Sequence, residues 1–329
     1  MSLSNKPIEE TFWGRVNSDQ QASLTLIRNA VKTIWSGNRI LWGYTDHGLG
    51  HSIRVLENAE RIIGTYKGDC PLTDDETYLL TAACYLHDIG MQWDYHKHPA
   101  IADIANRNYG ANIRAEVFAN GTPYKSSHPE STMIRENHSR ITAAYLEYAR
   151  SEVNSLFHEA VLSINDALLG DLIDICLYHS SKLEIQKCDV FGSRKRDIKK
   201  KMIAAILRLA DEIDTGSKRV NNKAVLKDIK YDIESEMYWY LCSLTTIQFN
   251  MAGNVYVQVS LHPNQDETSM ANFLERKIID DFKKKNKYLF SCLQELSFGI
   301  DFSGIDSAVS IDKFSDMLDP KFIEYIRKQ

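Results

Sequence analysis

TAACYLHDIGMQ, residues 81–92, ends an apolar helical run on an imidazole and a carboxylate that are neighbours in the chain, His87 and Asp88. The run opens in LTDDETYLL, where Thr73 reads as an N-cap and Glu76, three residues on, completes a capping box. Gly90 reads as the stop, so His87 and Asp88 fall in the last helical turn, where side chains can point into a cleft at the end of a bundle. Neutral imidazoles and carboxylates are what a hydrolytic divalent metal needs, with positions left open for water and a phosphate oxygen. A single His-Asp pair carries little weight in a chain of 329 residues. Its company carries more. His51 opens the helical segment HSIRVLENAERIIG upstream, and Asp211 lies in the apolar helix of AAILRLADEIDTG downstream.

Working outward, residues 1–220 read mainly as helices. LTLIRNAVKTIW sets Leu24, Ile27, Val31 and Ile34 at helical spacing, and the His51 segment does the same with Ile53, Leu56, Ala59 and Ile63. Gly48 and Gly50 predict a tight turn entering that helix at about His51. From 92 to about 135 periodicity fades, and the segment reads as a lid or insertion over the site. Helical pattern returns in STMIRENHSRITAAYLEYA and in HEAVLSINDALLGDLIDICLYHSSKL, and the basic stretch CDVFGSRKRDIKKK reads as a solvated helix start, with an anion-attracting rim as the alternative. Beyond residue 230, SLTTIQFN and NVYVQVSLH alternate about MAG and predict a hairpin, followed by a charged amphipathic helix from Ser269 to Leu296. The expected fold is mainly α: a helical domain over 1–225, with the lid at 92–135, and a small α+β appendage over 226–329 built from a β-hairpin and a long helix.

Hydrophobic residues make up 43% and charged residues 25% of the chain, an ordinary globular balance. No stretch approaches the roughly 18 apolar residues of a membrane span. MSLSNKPIEE lacks a basic segment followed by an apolar one, so a cytoplasmic protein is expected. With 39 basic and 44 acidic residues the net charge is −5, which argues against a dedicated duplex-DNA binder and leaves a small anionic substrate in play. Cys70, Cys84, Cys176, Cys188, Cys242 and Cys292 form no CxxC pair and read as reduced core thiols.

The order His51, His87-Asp88, Asp211, with the phrases HSIRV, AACYLHDIG and LRLADEID, resembles the HD phosphohydrolase superfamily over residues 40 to 220. The resemblance implies a helical bundle with a metal at its centre, held by His51, His87, Asp88 and Asp211. His138 in IRENHSRI and His179 in CLYHSSKL stand in the order that two-metal branches use for a second ion, with Asp88 bridging. It further implies hydrolysis of a phosphoester or phosphodiester in a nucleotide, cyclic nucleotide or cyclic dinucleotide by a metal-bound hydroxide. Two divalent ions are expected, and this donor set suits Mn, Fe, Ni, Co or Zn better than Mg. The GYP extension of the cyclic-di-GMP branch is missing, and WGYTDHGLGHS lacks the Arg-rich approach usual in dNTP triphosphohydrolases. The wording is most similar to bacterial HD proteins encoded beside or fused to ATPase-type domains in conflict systems.

Around these ligands, Arg135 and Lys182, each three residues from a proposed ligand, read as phosphate contacts, as does Arg54 more weakly. His47 is open to two readings, a contact to the leaving phosphate or proton donor, and a structural cap; Asp46 shares the ambiguity. Asp214 lies on the helical face of Asp211, where it can orient a ligand. Two rival functions stand beside the hydrolase. One is a nucleotide-sensing or interaction module without turnover. The other is a single-strand nuclease, whose groove Tyr95, His96, Lys97, His98, Tyr109 and Tyr124 would line. No membrane partner is expected, and the appendage offers a surface for a homo-oligomer; Tyr238, Trp239 and Tyr240 read as core or interface.

Overall fold

The computed structural model describes residues 8–37, 39–42, 44–68, 71–125, 128–194, 197–214, 242, 245–249, 254–261 and 281–311. Its centre is helix α4, Asp74–Leu86, buried from Glu76 to its end. A helix apolar on every side belongs inside a bundle. Around it pack α1 (Ile8–Trp13), α2 (Ser18–Ser36), α3 (Leu49–Ile63), α8 (Asp166–Tyr178) and α9 (Lys200–Glu212). Thr73 and Glu76 form the expected capping box, with Thr73 N–H on Glu76 Oε2 at 2.8 Å and Glu76 N–H on Thr73 Oγ1 at 3.3 Å. The other oxygen of Glu76 accepts from Lys199 N–H at 2.7 Å, so the cap also fixes the entry to α9.

α4 stops at Leu86, one residue before the motif, and a buried 3-10 turn, Ile89–Gln92, follows. Gly90 is therefore not a left-handed helix stop. It is the point where α6 (Pro129–Ser151) crosses the turn: a Cβ there would stand 2.2 Å from His138 O and 2.9 Å from Thr142 N. Thr142 fastens the crossing, accepting from Gly90 N–H at 3.0 Å and donating to His87 O at 2.8 Å.

Several expectations about elements are corrected. α3 begins at Leu49 and buries Val55, Leu56, Ala59 and Ile62, with Ile53 and Ile63 only half-buried. The helix turns inward on the face that carries His51. The 92–135 segment contains a helix, α5 (Ala100–Tyr109), which packs Ile101, Ala102 and Ala105 inward, lies against α6 and closes on Gly110 at φ 64°. A short parallel pair, β1 (Leu41–Trp42) with β2 (Tyr124–Lys125), ties the end of this segment to the chain after α2. The basic stretch before α9 is not simply solvated, because Lys200 is buried and bonds Asp174 at 2.5 Å. α7 (His158–Leu162) completes this part of the molecule.

The hairpin is present as β3 (Thr245–Phe249) against β4 (Asn254–Leu261), antiparallel. A strand not foreseen, β5 (Asp301–Ile311), adds parallel to β4, giving the order β3-β4-β5. Between them α10, Asp281–Glu295, packs on α9, where Arg208 Nη2 donates to Lys285 O at 3.3 Å and Lys285 pairs with Glu212. The remainder of the expected long helix, together with Tyr238, Trp239, Tyr240 and Cys70, lies outside the described residues. The molecule is mainly helical, as a helical HD bundle requires. No helix among the described residues is long and apolar enough to cross a membrane.

Candidate metal centre

Five helices deliver side chains to one point. His51 comes from the first turn of α3, His87 and Asp88 from just past α4, His138 from α6, His179 from just past α8, and Asp211 from the last turn of α9. Donor atoms of His51, His87, Asp88 and Asp211 all lie within 4.8 Å of one another, as do those of Asp88, His138 and His179. His51, His87 and His179 are fully or nearly fully buried, and Asp88 is 6% exposed.

The local structure dictates which ring nitrogen each histidine presents. His87 Nδ1 donates to Cys84 O at 3.1 Å, His138 Nδ1 to Arg135 O at 2.7 Å, and His179 Nδ1 to Cys176 O. Each acceptor is the carbonyl three residues back; those of Cys84 and Cys176 are in last helical turns, where carbonyls lack intrahelical partners. His51 Nδ1 donates to Asp214 Oδ2 at 2.6 Å. Carbonyl and carboxylate oxygens only accept, so all four rings carry a proton on Nδ1 and, when neutral, turn a bare Nε2 toward the centre.

Those Nε2 atoms meet in pairs, His51 with His87 at 3.2 Å and His138 with His179 at 3.0 Å. Two bare lone pairs at that range repel; a shared proton or a metal ion between them removes the conflict. The donor set therefore fits a metal ion. Asp88 sits between the pairs. Its Oδ2 is 3.4 Å from His51 Nε2 and 3.3 Å from His87 Nε2, while its Oδ1 is 3.6 Å from the Nε2 atoms of both His138 and His179. Asp211 Oδ1 adds to the first group at 3.3 Å from His51 Nε2.

Burial opposes ionisation of both carboxyls, yet both are held well below the usual carboxylate range. His87 charge and hydrogen bonds from His179, His51 and His87 do this for Asp88; for Asp211, a hydrogen bond from His51 and the charge of His87. Burial, reinforced by the charge of His179, pushes His138 down to about 4. Burial also pushes His179 down, but its contact with Asp88 more than offsets this and raises it. The close pair thus avoids carrying two charges. Burial pushes the Cys84 and Cys176 thiols up, away from the thiolate form a nucleophile needs.

Asp214 holds His51 and is itself gripped by Arg54, whose Nε lies 2.9 Å and 3.2 Å from its two oxygens. Arg54 thus faces Asp214, and its Nη2 stands 3.6 Å from Asp46. His47 is half-buried, donates from Nδ1 to Thr45 O at 2.6 Å and lies 5.7 Å ring to ring from His51. Arg135 rests its guanidinium 5.9 Å over the Tyr44 ring, and Lys182 is exposed with Nζ 3.9 Å from Glu136. In the 92–135 segment, Tyr95 stacks on Phe118, His96 bonds Asn120 O, His98 packs on Tyr145 and Tyr148, Tyr109 donates to Glu147, and Tyr124 is buried. Those rings pack on the chain itself. Thr142 and Gln92 are the residues that the sequence reading missed. Thr142 stands four after His138, on the same helical face, and that spacing was its one available signal.

A family model, HD-CE, matches residues 42–284 of the 329. The chain belongs to the HD-CE family. Among curated proteins nothing matches it, and among solved structures nothing does either. An HD-CE chain with this His/Asp cluster is consistent with a metal-dependent hydrolase.

Proposed function

We propose that this HD-CE chain is a two-metal phosphohydrolase acting on a phosphoester or phosphodiester bond of a nucleotide-type substrate. The observation that carries the reading is the division of Asp88, with Oδ2 toward His51 and His87 and Oδ1 toward His138 and His179. One carboxylate shared by two nitrogen pairs is what a bridged pair of ions requires. On this reading His51, His87, Asp88 and Asp211 hold one ion, and Asp88, His138 and His179 the other. Mn, Fe, Ni, Co or Zn suits the imidazole-rich set better than Mg. When bound, such ions supply an acidified water as nucleophile and positive charge for the phosphate oxygens. Asp214 and the three backbone carbonyls keep every Nε2 bare. Arg135, one helical turn before His138, and Lys182, in the turn after α8, would bring charge for the phosphate, and His47 is our choice of proton donor to the leaving group. No serine or cysteine nucleophile is needed.

Protein purified without chelator or metal-binding tag should carry about two transition-metal ions per chain by elemental analysis. It should also turn over bis(p-nitrophenyl) phosphate with Mn added. Asp88→Ala should lose both properties while keeping its circular dichroism spectrum. Wild-type metal content in that variant sinks the two-metal reading.

A further inference from the structure

Beside the metal centre lies a small cleft, open to solvent, whose wall includes His47. It touches the centre through its own wall. His47 faces the His51 ring, Gln92 lies four residues past Asp88, and Asp46 leads through Arg54 and Asp214 to His51 Nδ1.

Its lining is built for a flat, polar-edged ring. Trp35 and His47 present planes only 14° apart with centroids at 6.3 Å, and Tyr44 adds a third ring. Leu41 and Met91 supply apolar surface. Two polar groups enter this frame. Gln92 is 6% exposed, and its Oε1 accepts from Ile40 N–H at 3.2 Å, so its amide nitrogen is the polar atom left to the cavity. Arg39 is exposed on the rim and, among the described residues, makes no ion pair. Polar groups set in an otherwise apolar and aromatic wall fix the orientation of a bound ligand. Aromatic faces with a few convergent polar groups are the chemistry that stacks and reads a nucleobase.

We propose that this cleft holds the base of the nucleotide-type substrate, with Trp35 and Tyr44 stacking on it and Arg39 and Gln92 reading its edge. The inference rests on the phosphohydrolase reading above and adds the specificity determinant. The reading groups are both donors, while the Asp46 oxygens are taken by Gly48 N–H at 2.9 Å and by Arg54. A base offering two acceptors on one edge, as guanine does with O6 and N7, therefore fits better than adenine, whose amino group brings a donor. Arg135, 5.9 Å over the ring of Tyr44 and one turn before His138, would bring its charge to the phosphate of the same ligand.

The test is calorimetric titration of the Mn-loaded full chain with GMP, AMP and ribose 5-phosphate, beside turnover of bis(p-nitrophenyl) phosphate. GMP should bind about tenfold or more tighter than ribose 5-phosphate, the scale of one base stacked on an aromatic ring. AMP should fall between them. In Trp35→Ala the ratio of GMP to ribose 5-phosphate affinity should drop toward one. Arg39→Ala, at an exposed position that folding does not depend on, should lower the same ratio. Gln92→Glu keeps the acceptor for Ile40 N–H but removes the donor, and should erase the preference for GMP over AMP. Equal affinity of wild type for GMP and ribose 5-phosphate overturns the base pocket, and with phosphate binding and turnover intact it leaves the hydrolase reading standing. Absence of both Mn-dependent binding and turnover overturns the hydrolase reading, and the pocket with it.

Discussion

His51 is held from both sides of its ring, and the outer hold decides what the inner face can do. Asp214 accepts the Nδ1 proton at 2.6 Å and is itself clamped by Arg54 through both oxygens. Asp214→Asn keeps the shape but not the chemistry. Arg54 can only donate, so it will claim the amide oxygen and turn the NH2 toward His51. The imidazole must then carry its proton on Nε2, which removes the lone pair from the centre. Metal affinity should fall about 10- to 100-fold, the usual cost of losing an orienting partner, while the helical spectrum stays the same. A Mn titration gives the answer, and unchanged affinity would mean that Asp214 only packs. At this scale much of the site was legible. His51, His87, Asp88 and Asp211 could be picked out by chain order, His138 and His179 from the resemblance, and Asp214 by its three-residue spacing from Asp211. Gln92 escaped because a glutamine after a motif carries no pattern, and Thr142 because its spacing from His138 is the only mark on an otherwise ordinary mid-helix threonine. Their roles exist only once α6 crosses the turn after α4 and Ile40 comes within 3.2 Å of Gln92.

The crossing of α6 over the 3-10 turn is the contact between elements on which the second half of the site depends. Gly90 permits it, since any Cβ would be 2.2 Å from His138 O and 2.9 Å from both Thr142 N and Thr142 Oγ1. Two of those atoms are helix backbone, which cannot rotate aside like the end of a flexible side chain. Gly90→Ala should therefore push α6 outward, at a cost of about 1–3 kcal/mol as overpacking in a close-packed interior commonly has. The shift moves His138 away from His179 and Asp88 but leaves His51, His87 and Asp211 on their own helices. Metal content should thus fall from about two ions toward one, a split that the two-ion reading requires. A lowered melting temperature with full metal content would show that α6 yields without disturbing the site. The sequence read Gly90 as a helix stop because glycine after an apolar run usually is one; its need here is proximity. The same logic explains α3. Of its expected apolar stripe Leu56 and Ala59 are buried, while Ile53 and Ile63 are only half-buried because the helix turns the face bearing His51, Val55 and Ile62 inward. α5 was overlooked because its inward face is mostly alanine, a weak periodic signal.

Across the whole molecule, the donor atoms come from residues as far apart as His51 and Asp211, and five helices end or pass at one point. Without an ion, that point gathers four imidazoles and two carboxylates in the interior, a polar cluster whose ring nitrogens meet in pairs at 3.0 and 3.2 Å and are costly to bury. The rest of the fold must hold it together. α4 is buried against its neighbours, and α10 returns from the far end of the chain to pack on α9 just before Asp211, with Lys285 paired to Glu212. That closure was only partly legible: β3, β4 and a C-terminal helix could be read from alternation and amphipathicity, but β5, DFSGIDSAVSI, is broken by serine and glycine and lacks a clean period. On the two-ion reading the ions would join helices distant in sequence, so binding would stabilise the bundle as a unit and not one loop. At free metal about 100-fold above Kd the gain is about 2.7 kcal/mol. At roughly 2–4 °C per kcal/mol for a domain of this size, that corresponds to a rise of roughly 5–10 °C in Tm. Scanning calorimetry of the metal-loaded full chain should show this shift reversed by chelator and restored by Mn, with the helical signal lost in one transition. Asp88→Ala should melt at one temperature whether or not metal is present. A wild-type Tm that ignores both chelator and added metal would mean that the cluster does not hold ions in the folded state.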